Sequence, residues 1–225
     1  MGAKGTGSRE RYRTQVREEI KQHAWEQIAT AGVSALSLNA IAKQVGMSGP
    51  ALYRYFAGRD ELITELIRDA YRSLADTLHA ELDIGADVTG LAYAVRGWAL
   101  QDPQRYFLIY GTPIPGYHAP EDTTAISNRI MTALLTAFSA LSPEQQATPF
   151  DAHLEHHRRW AGDPATPVTT LHRALTFWTR LHGVLSLELA GQFTGMEFDP
   201  ALLFTDELNT LLPADRTTRP GPAPA

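Results

Sequence analysis

The 225-residue sequence predicts an all-α fold: a small N-terminal three-helix unit, a long connecting helix, and a C-terminal helical bundle. Apolar residues recur at three- and four-residue spacing along most of the chain, the period of a helix with one buried face. No stretch alternates at period two, so strands are not expected. A residue able to cap a helix is repeatedly followed by proline, which suits the first helical position because its missing N–H would be unpaired there anyway.

In the first helix, Val16, Ile20, Ala24 and Ile28 form one stripe, and Gly32 supplies a left-handed stop. Ser37 can cap a second helix whose Leu38, Ile41 and Val45 face inward, ending at Gly46. Ser48 can cap a third, with Pro50 in its first turn, running through Leu52 and Phe56 to a break at Gly58. From Asp60, the positions Leu62, Ile63, Leu66, Ile67, Ala70, Leu74, Leu78 and Leu82 predict one long helix. Cap-proline pairs at Asp102-Pro103, Ser142-Pro143, Thr166-Pro167 and Asp199-Pro200 help set further helices near 87–101, 103–111, 120–141, 150–161, 167–191 and 200–212. Ser142 with Gln145 fits a capping box. The Pro/Gly-rich segment 112–120 reads as a loop and the Pro/Ala-rich residues 213–225 as a disordered tail.

Twenty basic against 25 acidic residues give a net charge of −5, which as an average argues against a polyanion partner. The average conceals a division. Residues 1–59 carry nine basic and four acidic groups, a net +5, and the remainder carries −10. Such asymmetry is expected of a chain with one nucleic-acid-binding end, although a solvated basic helix end would give the same count. The chain has no cysteine, which excludes thiol catalysis and thiolate zinc sites. No apolar run approaches a membrane span and the first ten residues are polar, so a cytoplasmic protein is expected.

Residues 37–56, SLNAIAKQVGMSGPALYRYF, place two short helices around Gly46-Met47-Ser48. This is the pattern of a helix-turn-helix, in which glycine allows the sharp bend and the small Ala42 lets the helices approach. The second helix would enter a DNA major groove, its small first residues allowing close approach to base edges. A tight helical hairpin without DNA function is the rival on these residues alone. The run from Ile20 to Leu66 resembles the DNA-binding module of the tetracycline-repressor family. The matching residues are Ser37-Leu38-x-x-Ile41-Ala42, Val45-Gly46-Met47-Ser48, Ala51 to Phe56, and Arg59-Asp60-Glu61. The resemblance implies a homodimeric transcriptional regulator, usually a repressor, released from a near-palindromic double-stranded DNA operator by a small molecule. It implies phosphate contacts from Tyr53, Tyr55 and Arg59. Thr14 and Ser37 are candidates for backbone contacts, and Ser48, Gly49, Ala51 and Arg54 for base readout. Gly49-Pro50 stands where many relatives carry a basic residue, which shifts readout to Arg54, the first-helix arginines and DNA shape.

The C-terminal part has three aromatic groups, at Tyr93 and Trp98, at Tyr106, Phe107 and Tyr110, and at Phe177 and Trp178, with His182 four residues on. Trp98, Tyr106, Phe107, Tyr110, Phe177, Trp178 and His182 are the candidate lining of a pocket for a hydrophobic or aromatic effector. Ordinary core packing would produce the same spacing. Trp178 with His182-Gly183 is similar to a signature in one subgroup of the family, and mid-helix Gly183 suggests a close helix–helix contact. Helices 167–191 and 200–212 are the candidates for dimerisation. His153, His156 and His157 could suggest a metal, but Arg158 and Arg159 would repel a cation, so a solvated helix is the expectation and no metal site is assigned. No cofactor is expected. No nucleophile elbow or phosphate loop is present, and His182 and Glu188 lie six residues apart on largely opposed faces, so an enzyme is not expected. The functional division is DNA binding in 1–58 and ligand binding with dimerisation in 59–212. The alternative is a regulator or activator that binds DNA without any ligand.

Overall fold

A computed structural model describes residues 4–141 and 147–212, and the described residues form ten α-helices and no strand. Helix α1 (Lys4–Ala31) buries Val16, Ile20, Ala24 and Ile28 and stops at Gly32, whose φ of 76° is the left-handed conformation glycine adopts at little cost. Helix α2 (Leu38–Gln44) is capped by Ser37, whose side chain accepts from the Ala40 amide at 3.3 Å. It buries Leu38, Ile41 and Ala42 and ends at Gly46, φ 72°. Helix α3 (Gly49–Leu52) follows, then α4 (Arg59–Asp83). Asp60 and Glu61 lie in the first turn of α4, and the Glu61 carboxylate reaches back to accept from the Ala57 amide at 2.5 Å. The later helices are α5 (Val88–Gln101), α6 (Pro103–Tyr110), α7 (Glu121–Ser139), α8 (Pro149–His156), α9 (Val168–Leu189) and α10 (Pro200–Leu211).

By packing, the chain divides into two compact units rather than at the functional boundary after residue 58. The first comprises residues up to Asp76 with Asp102–Arg129, and the second Thr77–Gln101 with the described residues from Ile130 onward. Residues 102–129 join the first unit because Leu108, Ile109, Ile114 and Tyr117 pack on the core formed by α1 to α4. The Thr64 and Tyr117 hydroxyls share a 2.9 Å hydrogen bond, Arg68 pairs with Asp122 at 2.6 Å, and Arg105 lies 5.8 Å from the Trp25 ring centre. The second unit is centred on α9, which packs against α8, α5 and α10 and buries Leu171, Ala174, Phe177, Leu181 and Leu185.

Cap-proline starts are observed at Asp102-Pro103 and Asp199-Pro200, where each aspartate accepts from an amide of the first turn. Pro167 is itself the N-cap of α9, because the Thr166 carbonyl is held by Arg158 and Thr166 lies outside the helix. Ser142-Pro143 and Gln145, like the tail from 213, lie outside the described residues. A complete capping box instead forms at Thr148 and Asp151, with Pro149 at the first helical position. Helix α8 stops at His156 rather than near 161. The His157 ring takes the His153 carbonyl at 2.9 Å while its own amide goes to Leu154, and a 3₁₀ turn, Arg159–Ala161, follows.

Candidate nucleic-acid interface

The turn between α2 and α3 is fixed by backbone contacts that its small residues permit. The Val45 amide donates to Ile41 O at 2.9 Å and the Met47 amide to Ala42 O at 2.9 Å, so the chain reverses directly over Ala42, which is 2% exposed. Gln27 on α1 holds both ends of α2. Its Oε1 accepts from the Ser37 amide at 3.0 Å, and its Nε2 donates to Gln44 at 3.3 Å. Sequence reasoning misses this residue, because an isolated glutamine on a helix flank carries no signal of the acceptor and donor it will meet.

Helix α3 is shorter than its expected run through Phe56. After Leu52 the chain turns, with the Arg54 amide on Ala51 O and the Tyr55 amide on Leu52 O, which are 3₁₀-type bonds. The freed carbonyls are taken from α1. Arg13 Nη2 donates to Arg54 O at 3.5 Å and Arg17 to Tyr55 O. Arg17 also stacks over the fully buried Phe56 ring, 4.1 Å from its centre, and lies 3.9 and 3.8 Å from Glu61 and Glu65. It therefore serves as a brace behind the second helix of the motif. Arg17 is thereby withdrawn from the first-helix arginines expected to share in readout.

The remaining candidates are distributed as follows. Ser48 is exposed, in extended backbone, and makes no cap hydrogen bond with its side chain. Tyr53 is 51% exposed and Arg54 is exposed, whereas Tyr55 is half-buried against the core. Gly49 and Ala51 are partly covered, and a Cβ at Gly49 would lie 3.5 Å from Asn39 Oδ1, ordinary contact. Thr14 is exposed and its hydroxyl donates to Glu10 O at 3.1 Å. Ser37 is occupied as the α2 cap. Arg59 donates to Val33 O at 2.7 Å, so one arm of its guanidinium fastens the turn after α1.

These contacts alter the electrostatics. Arg9, Arg11, Arg13, Lys43 and Arg54 are exposed, while Arg17, Lys21 and Arg59 turn inward. Burial disfavours the charge on Lys21, but Asp69 at 2.6 Å and Glu18 at 2.8 Å hold its pKa above the ordinary lysine value. With α4 and residues 102–129 included, the first unit carries 13 basic and 12 acidic residues, and the rest of the chain 7 and 13. The +5 of residues 1–59 thus becomes +1 for the packed unit. The exposed first-helix cation held beside Arg54 is Arg13, while Glu61 and Glu65 of α4 are held against Arg17.

The candidate effector residues form separate groups in the two units. In the first, Tyr106 is fully buried, with ring centres 5.5 Å from Phe107 and 5.3 Å from Tyr110. Tyr110 meets Tyr71 edge-on at 6.1 Å, and burial, with the neighbouring tyrosines, pushes its hydroxyl well above the usual phenol range. In the second, Trp98 is 5% and Phe177 1% exposed, and Phe177 packs edge-on to Phe138 at 5.3 Å. Trp178 and His182 are only partly buried and meet at 4.1 Å. Glu188 pairs instead with Arg96, so the two α9 groups imagined as an acid–base pair have different partners. His153 and His157 stack at 4.0 Å and, with His156, are exposed.

Burial lowers the pKa of His182 from 6.5 to about 4. The unfolded chain then binds a proton that the native chain excludes, so stability is full above pH 6.5 and falls as pH drops towards 4. The loss expected across that window is about 3 kcal/mol. Urea titrations at a series of pH values should show that loss for the wild type. They should show a flatter profile for His182→Gln, whose side chain does not titrate.

Comparison with known proteins places these features in a wider group. Residues 20–66 match the family described as bacterial regulatory proteins, tetR family, and residues 88–211 match the tetracyclin repressor-like C-terminal domain. The chain is 36% identical over 222 residues to an HTH-type transcriptional regulator of Mycobacterium tuberculosis, covering 92% of this chain and 94% of that one. It is 69% identical to the protein SCO4313, whose crystal structure superposes with a TM-score of 0.85 over 90% of this chain and 98% of that chain. The multidrug binding protein EbrR, solved with imidazole, shares the fold at 17% identity and a TM-score of 0.54, over 89% and 97% of the two chains. Among the described residues, no helix is long and apolar enough to cross a membrane.

Proposed function

Because the chain belongs to the tetR family of DNA-binding transcriptional regulators, we propose that it acts as a homodimeric repressor that a small hydrophobic or aromatic molecule releases from a near-palindromic operator. The observation that carries the DNA-binding half of this reading is the exposed set Ser48, Tyr53 and Arg54 on a helix-turn-helix braced by Gln27, Arg13 and Arg17. Arg54 is the donor suited to a base edge and Tyr53 the one suited to a phosphate. Arg54→Ala is expected to cost about 1–3 kcal/mol on the operator and to relax preference at one base pair. Tyr53→Phe is expected to weaken binding to specific and random duplexes alike. Gel-shift titrations on both DNAs distinguish the roles, and an equal effect of Arg54→Ala on both would remove Arg54 from readout.

The dimer is proposed to form through α9 and α10. Gly183 is exposed, and among the described residues a Cβ there would meet nothing within 4 Å outside its own turns of helix. The close contact expected at this glycine is not made by the described residues of the protomer, which supports a contact with a second copy. Leu187 and Leu202, 47% and 69% exposed, extend the unpartnered apolar surface on the same two helices. Two recognition helices about 34–36 Å apart would meet successive major grooves. An effector bound by the body would bias α4 and so change that spacing, weakening DNA binding by no more than its own differential affinity for the two arrangements.

Trp178 and His182 are the proposed effector contacts, since both are partly accessible and offer an aromatic face beside a neutral imidazole. Tyr106 and Phe177 are so fully buried that their role is core packing. The density of that packing is also what favours the second reading, a regulator that needs no ligand. A thermal-shift screen of hydrophobic and aromatic compounds separates the two. The first reading expects one compound to raise Tm and weaken DNA binding together, with both responses reduced in Trp178→Ala; stabilisation by none supports the second.

A further inference from the structure

Helix α1 is longer than its core requires. Its first buried residue is Val16, yet the helix begins at Lys4, and every residue from Gly7 to Gln15 is exposed. Nine residues of helix, about 13 Å, therefore lie exposed ahead of the first core residue, with Arg13 alone reaching back to the motif. The segment is held in the helix by its continuity with the packed part of α1, and the glycines at 5 and 7 weaken that end, so contact with a partner surface would add to its stability.

The chemistry of the projecting segment follows its register. The stripe Val16, Ile20, Ala24, Ile28 continues towards the N-terminus, at three- and four-residue steps, through Arg13, Tyr12 and Arg9. Where the apolar core ends, the same face of α1 thus becomes cationic. Its direction is set by Arg13, whose guanidinium reaches the Arg54 carbonyl at the end of the recognition segment. The opposite face differs. Arg11 is turned back on its own helix, with Nε on Gly7 O at 3.0 Å, beside Glu10 and Thr14.

We propose that the projecting segment of α1 is a second DNA-contacting element, in which Arg9 and Tyr12 lie along the phosphate backbone flanking each half-site. The proposal rests on the DNA-binding reading above and extends its footprint. Arg9 is seven residues, about 10 Å, beyond Val16, a reach of about three base pairs. The interaction is with phosphate, so it adds affinity and salt dependence without adding sequence preference.

The test compares Arg9→Gln with Arg11→Gln, on operator duplexes with and without several flanking base pairs. Both residues are exposed and neither packs in the core, so thermal unfolding should match the wild type. With Arg9→Gln the slope of log K against log salt is expected to fall by about 2 for a dimer, one phosphate contact per protomer. Shortening the flanks should weaken wild-type binding severalfold while leaving Arg9→Gln nearly unaffected. Arg11→Gln should retain the wild-type slope and the dependence on flanks. The proposal is overturned if Arg9→Gln keeps the full slope and flank dependence, or if Arg11→Gln lowers them equally, which would reduce the effect to net charge. A wild-type protein that binds no duplex specifically would instead overturn the functional reading itself.

Discussion

Phe56→Ala is expected to destabilise the chain by about 3–5 kcal/mol and to abolish specific DNA binding at concentrations where the wild type saturates its operator. Phe56 is fully buried at the point where the recognition segment rejoins the core. Its ring is also the platform on which Arg17 lies, and Arg17 holds the Tyr55 carbonyl. Truncating the ring therefore opens a cavity and loosens the brace that orients Tyr53 and Arg54. Phe138, 1% exposed in the second unit, is the control. Phe138→Ala should cost similar stability by denaturant titration yet leave the folded fraction able to read the operator. Wild-type DNA affinity for Phe56→Ala would show that the brace does not position the motif.

The second large effect is expected at the ion pair between α5 and α9. Arg96 grips Glu188 through two bonds, Nη2 to Oε1 at 2.5 Å and Nε to Oε2 at 3.3 Å, with side chains 17% and 12% exposed. The guanidinium also lies 5.5 Å from the ring centre of Phe204 on α10, so one residue links three helices of the second unit. Glu188→Ala leaves that cation mostly buried and unpaired, and a loss of about 3–5 kcal/mol is expected. In a domain of this size that corresponds to a Tm lower by on the order of 10 °C. The double variant Arg96→Met, Glu188→Leu removes both charges and should recover most of the loss, because the desolvation cost disappears with the pair. Scanning calorimetry of the two variants checks both statements. Equal Tm values for Glu188→Ala and the wild type would place the pair among the weak surface bridges.

The sequence was most legible where structure depends on neighbours along the chain. The α1 stripe, the Ser37 cap, the bend at Gly46 and the stop at Gly32 are local consequences of spacing and backbone freedom, and together they define the DNA-binding motif. Local spacing fails to set an element's end where a distant group competes for a backbone carbonyl. Nothing near Arg54 or Tyr55 tells that arginines 41 and 38 residues upstream will take their carbonyls and end α3 early. The same holds for Thr166, whose carbonyl goes to Arg158 and not into the start of α9. Charge was legible by location but not by availability. Counting placed +5 in residues 1–59, and only packing revealed that Arg17 and Lys21 are matched by Glu61, Glu65 and Asp69. Aromatic spacing identified residues of interest without distinguishing a filled core at Tyr106 and Phe177 from accessible contacts at Trp178 and His182.

The face bearing Ser48, Tyr53 and Arg54 is proposed to read a two-fold site on DNA. The most direct test is a binding selection with the wild-type protein from a random duplex library at physiological salt. The predicted result is enrichment of one near-palindromic sequence with half-site centres about 34–36 Å apart, together with loss of preference at one base pair of each half-site in Arg54→Ala. Enrichment of no sequence over the starting library, or an enriched site whose every position is indifferent to Arg54→Ala and Tyr53→Phe, would contradict it.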